Sequence, residues 1–389
     1  MSRRMTKAAV VLAGFALAFT SAACTAERTP EGDGGDGGGD QETAGDAGGE
    51  EETEPERGLV GIAMPTRSLE RWNNDGSHLE ALLQERGYET SLQYADNEVD
   101  QQITQIQNMV NQGAEILVIA SIDGTALGPV LEQAATAGAT VIAYDRLINE
   151  SENVDYYATF DNYEVGRLQG EFIIDELGLE EGEGPFNLEP FAGSPDDNNA
   201  RFFFSGAWDL LLPYVENGQL VVPSGKAPAS NDDWPSIGIQ GWLSQTAQAE
   251  MENRLNSFYA DGQVDVVLSP NDSLALGIEQ ALDAAGYTPG EDWPLITGQD
   301  ADLANVKNML AGMQAMTVWK DTRTLGDQVA TMVDQITAGE EIEVNDTETY
   351  DNGVKVVPSF LLPPQVVTPD TVESALVDSE FFTAEEIGL

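Results

Sequence analysis

Between residues 59 and 144, short apolar runs alternate with amphipathic stretches, and that alternation leaves few folds open to the chain. Leu59-Val60-Gly61-Ile62-Ala63-Met64, Glu115-Ile116-Leu117-Val118-Ile119-Ala120 and Thr140-Val141-Ile142-Ala143-Tyr144 are runs of the kind that a parallel sheet buries on both faces. Leu79, Leu82 and Leu83 mark a helix after the first run. Val99, Ile103, Ile106, Met109 and Val110 recur at helical spacing and stop at Gly113, and a further helix over 130–137 stops at Gly138. A βαβαβ order of this kind demands a parallel sheet, right-handed crossovers and helices on both faces. A second series follows, with helices over 164–177, 202–214, 246–259 and 274–285 and strands over 186–191, 264–268 and 294–297. The pattern predicts the α/β class, as two doubly wound lobes facing a cleft.

The N-terminus predicts export. Arg3, Arg4 and Lys7 precede an uninterrupted apolar stretch over 8–19 and the small-residue run Thr20-Ser21-Ala22-Ala23-Cys24, the pattern of a signal peptide over 1–23. The apolar stretch is shorter than the roughly 20 residues that a membrane helix needs. Cys24, the single cysteine, stands where bacterial lipoprotein signals place the lipidated residue, although Ser21 replaces the favoured leucine. A lone cysteine has no partner for an intramolecular disulfide, so lipidation is the expectation and the fold must be held by its core. Residues 24–57 are rich in Gly, Asp and Glu and predict a disordered tether between anchor and first strand.

The formal net charge of −51, from 68 acidic against 17 basic residues, argues against nucleic acid and anionic membrane surfaces, both of which reward basic patches. The few cations therefore gain meaning from where they fall. In open parallel sheets, ligands bind beyond the carboxyl ends of the strands. Arg71 and Trp72 follow the first strand, and Asp145 and Arg146 the third. Asp197, Asn199 and Arg201 lie in the loop after the first strand of the second series. Asn271, Asp300 and Lys320 follow later strands, and Trp242 precedes a helix. A sugar asks for this combination. Each hydroxyl both donates and accepts, so it pairs with a carboxylate on one side and a guanidinium, amide or ammonium on the other. The C–H faces of a pyranose pack on aromatic rings, which predicts Trp72 and Trp242 as the two sides of a sandwich. The basic groups Arg71, Arg146, Arg201 and Lys320 leave room for a sugar acid as well as a neutral aldose.

Taken in order, Leu69-Glu70-Arg71-Trp72, Tyr144-Asp145-Arg146, Phe160-Asp161-Asn162, Gly193-Ser194-Pro195-Asp196-Asp197-Asn198-Asn199-Ala200, Gly298-Gln299-Asp300-Ala301-Asp302 and Val318-Trp319-Lys320 resemble the D-xylose-binding and multiple-sugar-binding periplasmic receptors. Val344-Asn345-Asp346-Thr347 and the run from Asn352 to Ser359 are most similar to the multiple-sugar branch. The resemblance implies a type I periplasmic-binding-protein fold with two Rossmann-like lobes joined by a three-strand hinge. The first lobe would take 58–160 and 321–357, and the second 161–320 and 358–389. It also implies a monomer that binds a monosaccharide of the xylose, glucose, galactose or arabinose class without chemistry and hands it to an ABC permease with its ATPase subunit. Arginine at 201 is more usual in the ribose and galactose receptors.

Three rivals use similar parts. A glycoside hydrolase would employ paired carboxylates such as Asp145 and Asp300, but the interleaved cations favour ionised acceptors over a proton donor. A sensor for chemotaxis or signalling would have the same lobes. A transcription repressor core is opposed by the export signal and by the lack of a basic DNA-binding segment. No cofactor or metal is expected: the single histidine, His78, has no Cys/His cluster around it, and neither a phosphate loop nor an EF-hand spacing occurs.

Overall fold

The computed structural model describes residues 57–389. The export signal, Cys24 and all of the acidic tether except Arg57 lie outside the described residues, and among those described no helix is long and apolar enough to cross a membrane.

In the first lobe the chain runs β1 (Arg57–Met64), α1 (Glu70–Glu85), β2 (Tyr88–Tyr94), α2 (Val99–Asn111), β3 (Ile116–Ile119), α3 (Gly128–Ala137), β4 (Thr140–Tyr144) and β5 (Tyr156–Phe160). It then enters the second lobe through α4 (Asn162–Leu177), β6 (Phe186–Pro190), α5 (Asn198–Glu216), β7 (Leu220–Val221), α6 (Ser244–Phe258), β8 (Val266–Leu268), α7 (Asp272–Ala285), β9 (Leu295–Ile296), α8 (Leu303–Leu310) and β10 (Thr317–Trp319). Helix α9 (Thr322–Ala338) returns to the first lobe, followed by β11 (Ser359–Leu362), β12 (Gln365–Val367) and the short α10 (Ala384–Ile387).

The first sheet has six strands in the order β11-β5-β4-β3-β1-β2, all parallel. The period of two along each strand splits its side chains between two layers. Ile62, Val118 and Ile142 pack with α1 and α9 through Leu79, Leu83, Leu325 and Val329, while Ala63, Leu117 and Val141 pack with α2 and α3 through Ile106, Met109, Val130 and Leu131. The second lobe holds a parallel sheet in the order β7-β6-β8-β9 and one continuous apolar core. Helices α4 and α5 cross there at backbone contact, because Gly166 has no side chain. A Cβ at that position would lie 1.8 Å from the carbonyl oxygen of Phe203.

The chain crosses between the lobes after β5, after β10 and between β11 and β12. The last crossing corrects an expectation. Residues 359–362 do not join the second lobe, because β11 pairs in parallel with β5, Ser359 opposite Tyr157, and completes the first sheet on an edge that would otherwise stand unpaired. Strand β12 then pairs antiparallel with β10.

Candidate functional site

The carboxyl ends of β1, β4, β6, β8, β9 and β10 converge on a small cavity between the lobes. Arg71, Trp72, Asp145, Arg146, Asp197, Asn199, Trp242, Asn271, Asp300 and Lys320 all line it. Arg201 does not. One residue past the inward-facing Ala200 on α5, it turns to the exposed side of the helix.

Local backbone geometry aims several of these groups. Asp145 stands at φ 59°, Trp242 at φ 56° and Asp300 at φ 100°, a region that bulky residues seldom adopt and that clusters at functional sites. Trp242 reaches the cavity across Gly193, where a Cβ would lie 2.0 Å from its ring. Asp197 and Asn271 cap α5 and α7, each giving one oxygen to a helix N–H, from Asn199 at 2.9 Å and Leu274 at 3.0 Å. Capping leaves the remainder of each side chain available. The second Asp197 oxygen accepts from Trp242 Nε1 at 3.1 Å and pairs with Arg146 Nε at 3.0 Å, and the Asn271 amide is left on the cavity wall.

The charges are interlocked. Arg71 donates to Asp145 at 2.9 Å and to Asp75 at 3.0 Å, and approaches Asp300 at 3.5 Å, while Lys320 pairs with Asp300 at 3.2 Å. Burial by itself disfavours the Arg71 cation, but Asp145, Asp75 and Asp300 raise its pKa well above the ordinary value. Burial would also raise Asp145, yet Arg71, Lys320 and Arg146 outweigh it and hold this carboxyl below the usual range. A carboxyl held ionised in this way is an acceptor and a poor proton donor at neutral pH. Asp197 is pushed up, chiefly by burial, against the pull of Arg146.

The two lobes touch across the site. Asn199 of the second lobe donates to the Asp145 carbonyl at 2.6 Å, and Arg146 of the first meets Asp197 of the second. Both tryptophans are nearly fully buried. Trp72 carries the guanidinium of Arg71 4.4 Å and that of Arg146 5.1 Å from its ring centroid, and Trp242 meets Phe203 edge-on at 6.3 Å.

Leu69, Phe203 and Gln299 line the cavity as well, beyond the candidate residues named from the sequence. Phe203 falls one helical turn after Asn199 on the same face of α5, which is a readable signal. Gln299 precedes Asp300 at a strand end. Its amide N–H donates to the Pro270 carbonyl at 3.1 Å, and its buried Oε1 has no partner among the described residues. Among those residues, no group of His, Cys, Asp and Glu could hold a metal ion.

Comparison with known proteins agrees with this architecture. Residues 60–341 match the model of the periplasmic binding protein domain family. The chain is 50% identical to the multiple sugar-binding periplasmic receptor ChvE of Rhizobium radiobacter, over 85% of this chain and 93% of that one. It is 35% identical to the D-xylose-binding periplasmic protein of Escherichia coli, over 84% and 92%. A solved ABC transporter solute-binding protein from Clostridium phytofermentans with bound β-D-glucose superposes with a TM-score of 0.81 at 52% identity, over 85% of this chain and 99% of the other.

Proposed function

The chain belongs to the periplasmic binding protein domain family, and from that premise we propose that it captures a monosaccharide between its lobes and delivers it to an ABC importer. The reading rests above all on the cavity at the strand ends, where carboxylates, cations and amides alternate between two tryptophans. Sugar hydroxyls would take the lone pairs of Asp145 and Asp300 and the N–H groups of Arg146, Asn271 and Lys320, and the ring faces would lie against Trp72 and Trp242. A ligand bridging Arg71, Trp72, Asp145 and Arg146 of the first lobe and Asp197, Asn199 and Trp242 of the second interacts fully only with the closed form. That difference in affinity selects closure, and a membrane permease with its ATPase subunit reads the closed shape.

The relatives support transport rather than chemistry, since they carry the names of sugar-binding receptors and solute-binding proteins. We read the protein as a monomer tethered at the outer face of the cell membrane by a lipid on Cys24, with residues 24–57 as the tether. Labelled-sugar uptake by cells lacking the gene tests the transport role. Loss of uptake of one aldose is expected, and undiminished uptake of every aldose tested would point to a sensor instead. Metabolic labelling with a fatty-acid analogue tests the anchor: the label is expected in the wild type and not in Cys24→Ser.

A further inference from the structure

Three cations line the cavity, and each is already matched. Arg71 lies 2.9 Å from Asp145, Arg146 lies 3.0 Å from Asp197, and Lys320 lies 3.2 Å from Asp300. A fourth carboxylate stands behind them. Asp75, in the middle of α1 and fully buried, does not line the cavity; one of its oxygens accepts from Arg71 Nε at 3.0 Å and the other from the Tyr144 hydroxyl at 2.8 Å. With Asp75 ionised, the group carries three positive charges and four negative ones.

We propose that Asp75 is a positioning residue that, by occupying Arg71 from behind, makes the cavity select neutral sugars and reject their uronic acids. This inference rests on the sugar-binding reading and sharpens it. A neutral aldose needs only donors and acceptors, which ionised but paired groups still supply. A uronate adds a carboxylate that must leave water, and it finds no cation without a carboxylate already within 3.2 Å. The incoming charge is therefore desolvated without a matching partner and is repelled by Asp145, Asp197, Asp300 and Asp75, a combination that costs several kcal/mol when charges are misplaced in an interface. The basic residues named from the sequence leave room for a sugar acid as well as a neutral aldose. Placing Arg201 outside the cavity and each remaining cation beside an acid narrows that choice to the neutral sugar.

The groups around Asp75 come from the ends of two strands besides its own helix. Tyr144 ends β4, Asp145 follows it, and Tyr94 at the end of β2 lies close beside Gly76. Burial, the largest influence, raises the Asp75 pKa to about 6 against the pull of Arg71, so the carboxyl is ionised at pH 8.

The experiment is calorimetric titration at pH 8 with two matched pairs, D-glucose with D-glucuronate and D-galactose with D-galacturonate, on the wild-type chain and on Asp75→Asn. In the wild type, the uronate of whichever pair binds is expected to be at least about 100-fold weaker than its neutral parent. In Asp75→Asn the ratio is expected to narrow by about tenfold, because one negative charge has gone from behind Arg71. A purely structural role for Asp75 would weaken both sugars alike and leave the ratio unmoved, which overturns the proposal. A wild-type uronate within tenfold of its parent overturns it without any variant, so the test survives if Asp75→Asn fails to fold. Failure of both members of both pairs to bind, with xylose and arabinose also silent, removes the sugar-binding reading and this inference with it.

Discussion

Arg146 and Asp197 face each other across the cleft at 3.0 Å, one from each lobe, with both side chains buried. Asp197 also receives the Trp242 indole N–H and caps α5, so a single carboxylate joins lobe closure, the aromatic wall and a helix start. Asp197→Ala leaves the buried Arg146 guanidinium without its ion-pair partner and Trp242 Nε1 without its acceptor. The expected loss is about 2–4 kcal/mol of sugar-binding free energy, or roughly 30- to 1000-fold in Kd, measured by calorimetry. Loss of the cap lowers folding stability by about a further 1 kcal/mol. An affinity within threefold of wild type would separate this pair from ligand binding.

Gly193 is the position that lets Trp242 into the cavity. Gly193→Ala places a methyl group where the indole now lies, so the ring must move. Affinity is expected to fall at least about tenfold, because an aromatic wall placed about 1 Å out of position loses its contacts. Far-ultraviolet circular dichroism should stay that of a folded α/β protein. Unchanged affinity would mean that the Trp242 ring does not stack on the ligand.

Arg201 supplies the complementary case. It is exposed and outside the cavity, so Arg201→Ala is expected to leave the sugar Kd within about twofold, as surface substitutions generally do. A loss of tenfold or more would return Arg201 to the site.

Glu279 carries a stability prediction away from the cleft. It sits in α7, nearly fully buried, with one oxygen accepting from Asn308 and the other without a partner among the described residues. Burial pushes its pKa up to about 8, against the opposing hydrogen bond from Asn308. A carboxyl whose folded pKa is raised stabilises the fold fully below its unfolded value and loses that contribution as pH rises through the folded value. The loss therefore falls between about pH 4.5 and 8. Glu279→Gln cannot ionise and is expected to be more stable than wild type above pH 8, by up to about 5 kcal/mol, with the two converging near pH 5. Parallel denaturation profiles across that range would show that Glu279 ionises as readily in the folded protein as in the unfolded chain, and so carries no raised pKa.

The strands at the centre of the first sheet were legible because both faces are buried: β1, β3 and β4 read as unbroken apolar runs. Strand β2 lies at the sheet edge and reads Tyr-Glu-Thr-Ser-Leu-Gln-Tyr, buried only at its ends, so nothing in its composition separates it from a loop. Helix α9 does carry a stripe, Leu325, Val329, Met332, Val333 and Ile336, but its periodicity alone does not say which lobe it joins; the resemblance places it in the first, and the fold packs it against α1. The site was legible where strand ends meet polar residues, which is why ten of its side chains could be named from sequence. Asp75 was not, since a mid-helix aspartate looks solvated until β4 brings Tyr144 over it. Arg201 misled for a related reason: its neighbours in the loop-to-helix run face the cavity, and the turn of α5 carries it away.

The central claim, a cavity that binds a monosaccharide between closing lobes, is tested most directly by calorimetric titration of the wild-type chain with D-xylose, D-glucose, D-galactose and L-arabinose. The expected result is one-site binding of at least one of them with Kd below about 10 µM, weakened roughly 30- to 1000-fold in Asp197→Ala. No binding tighter than millimolar by any of the four would contradict it.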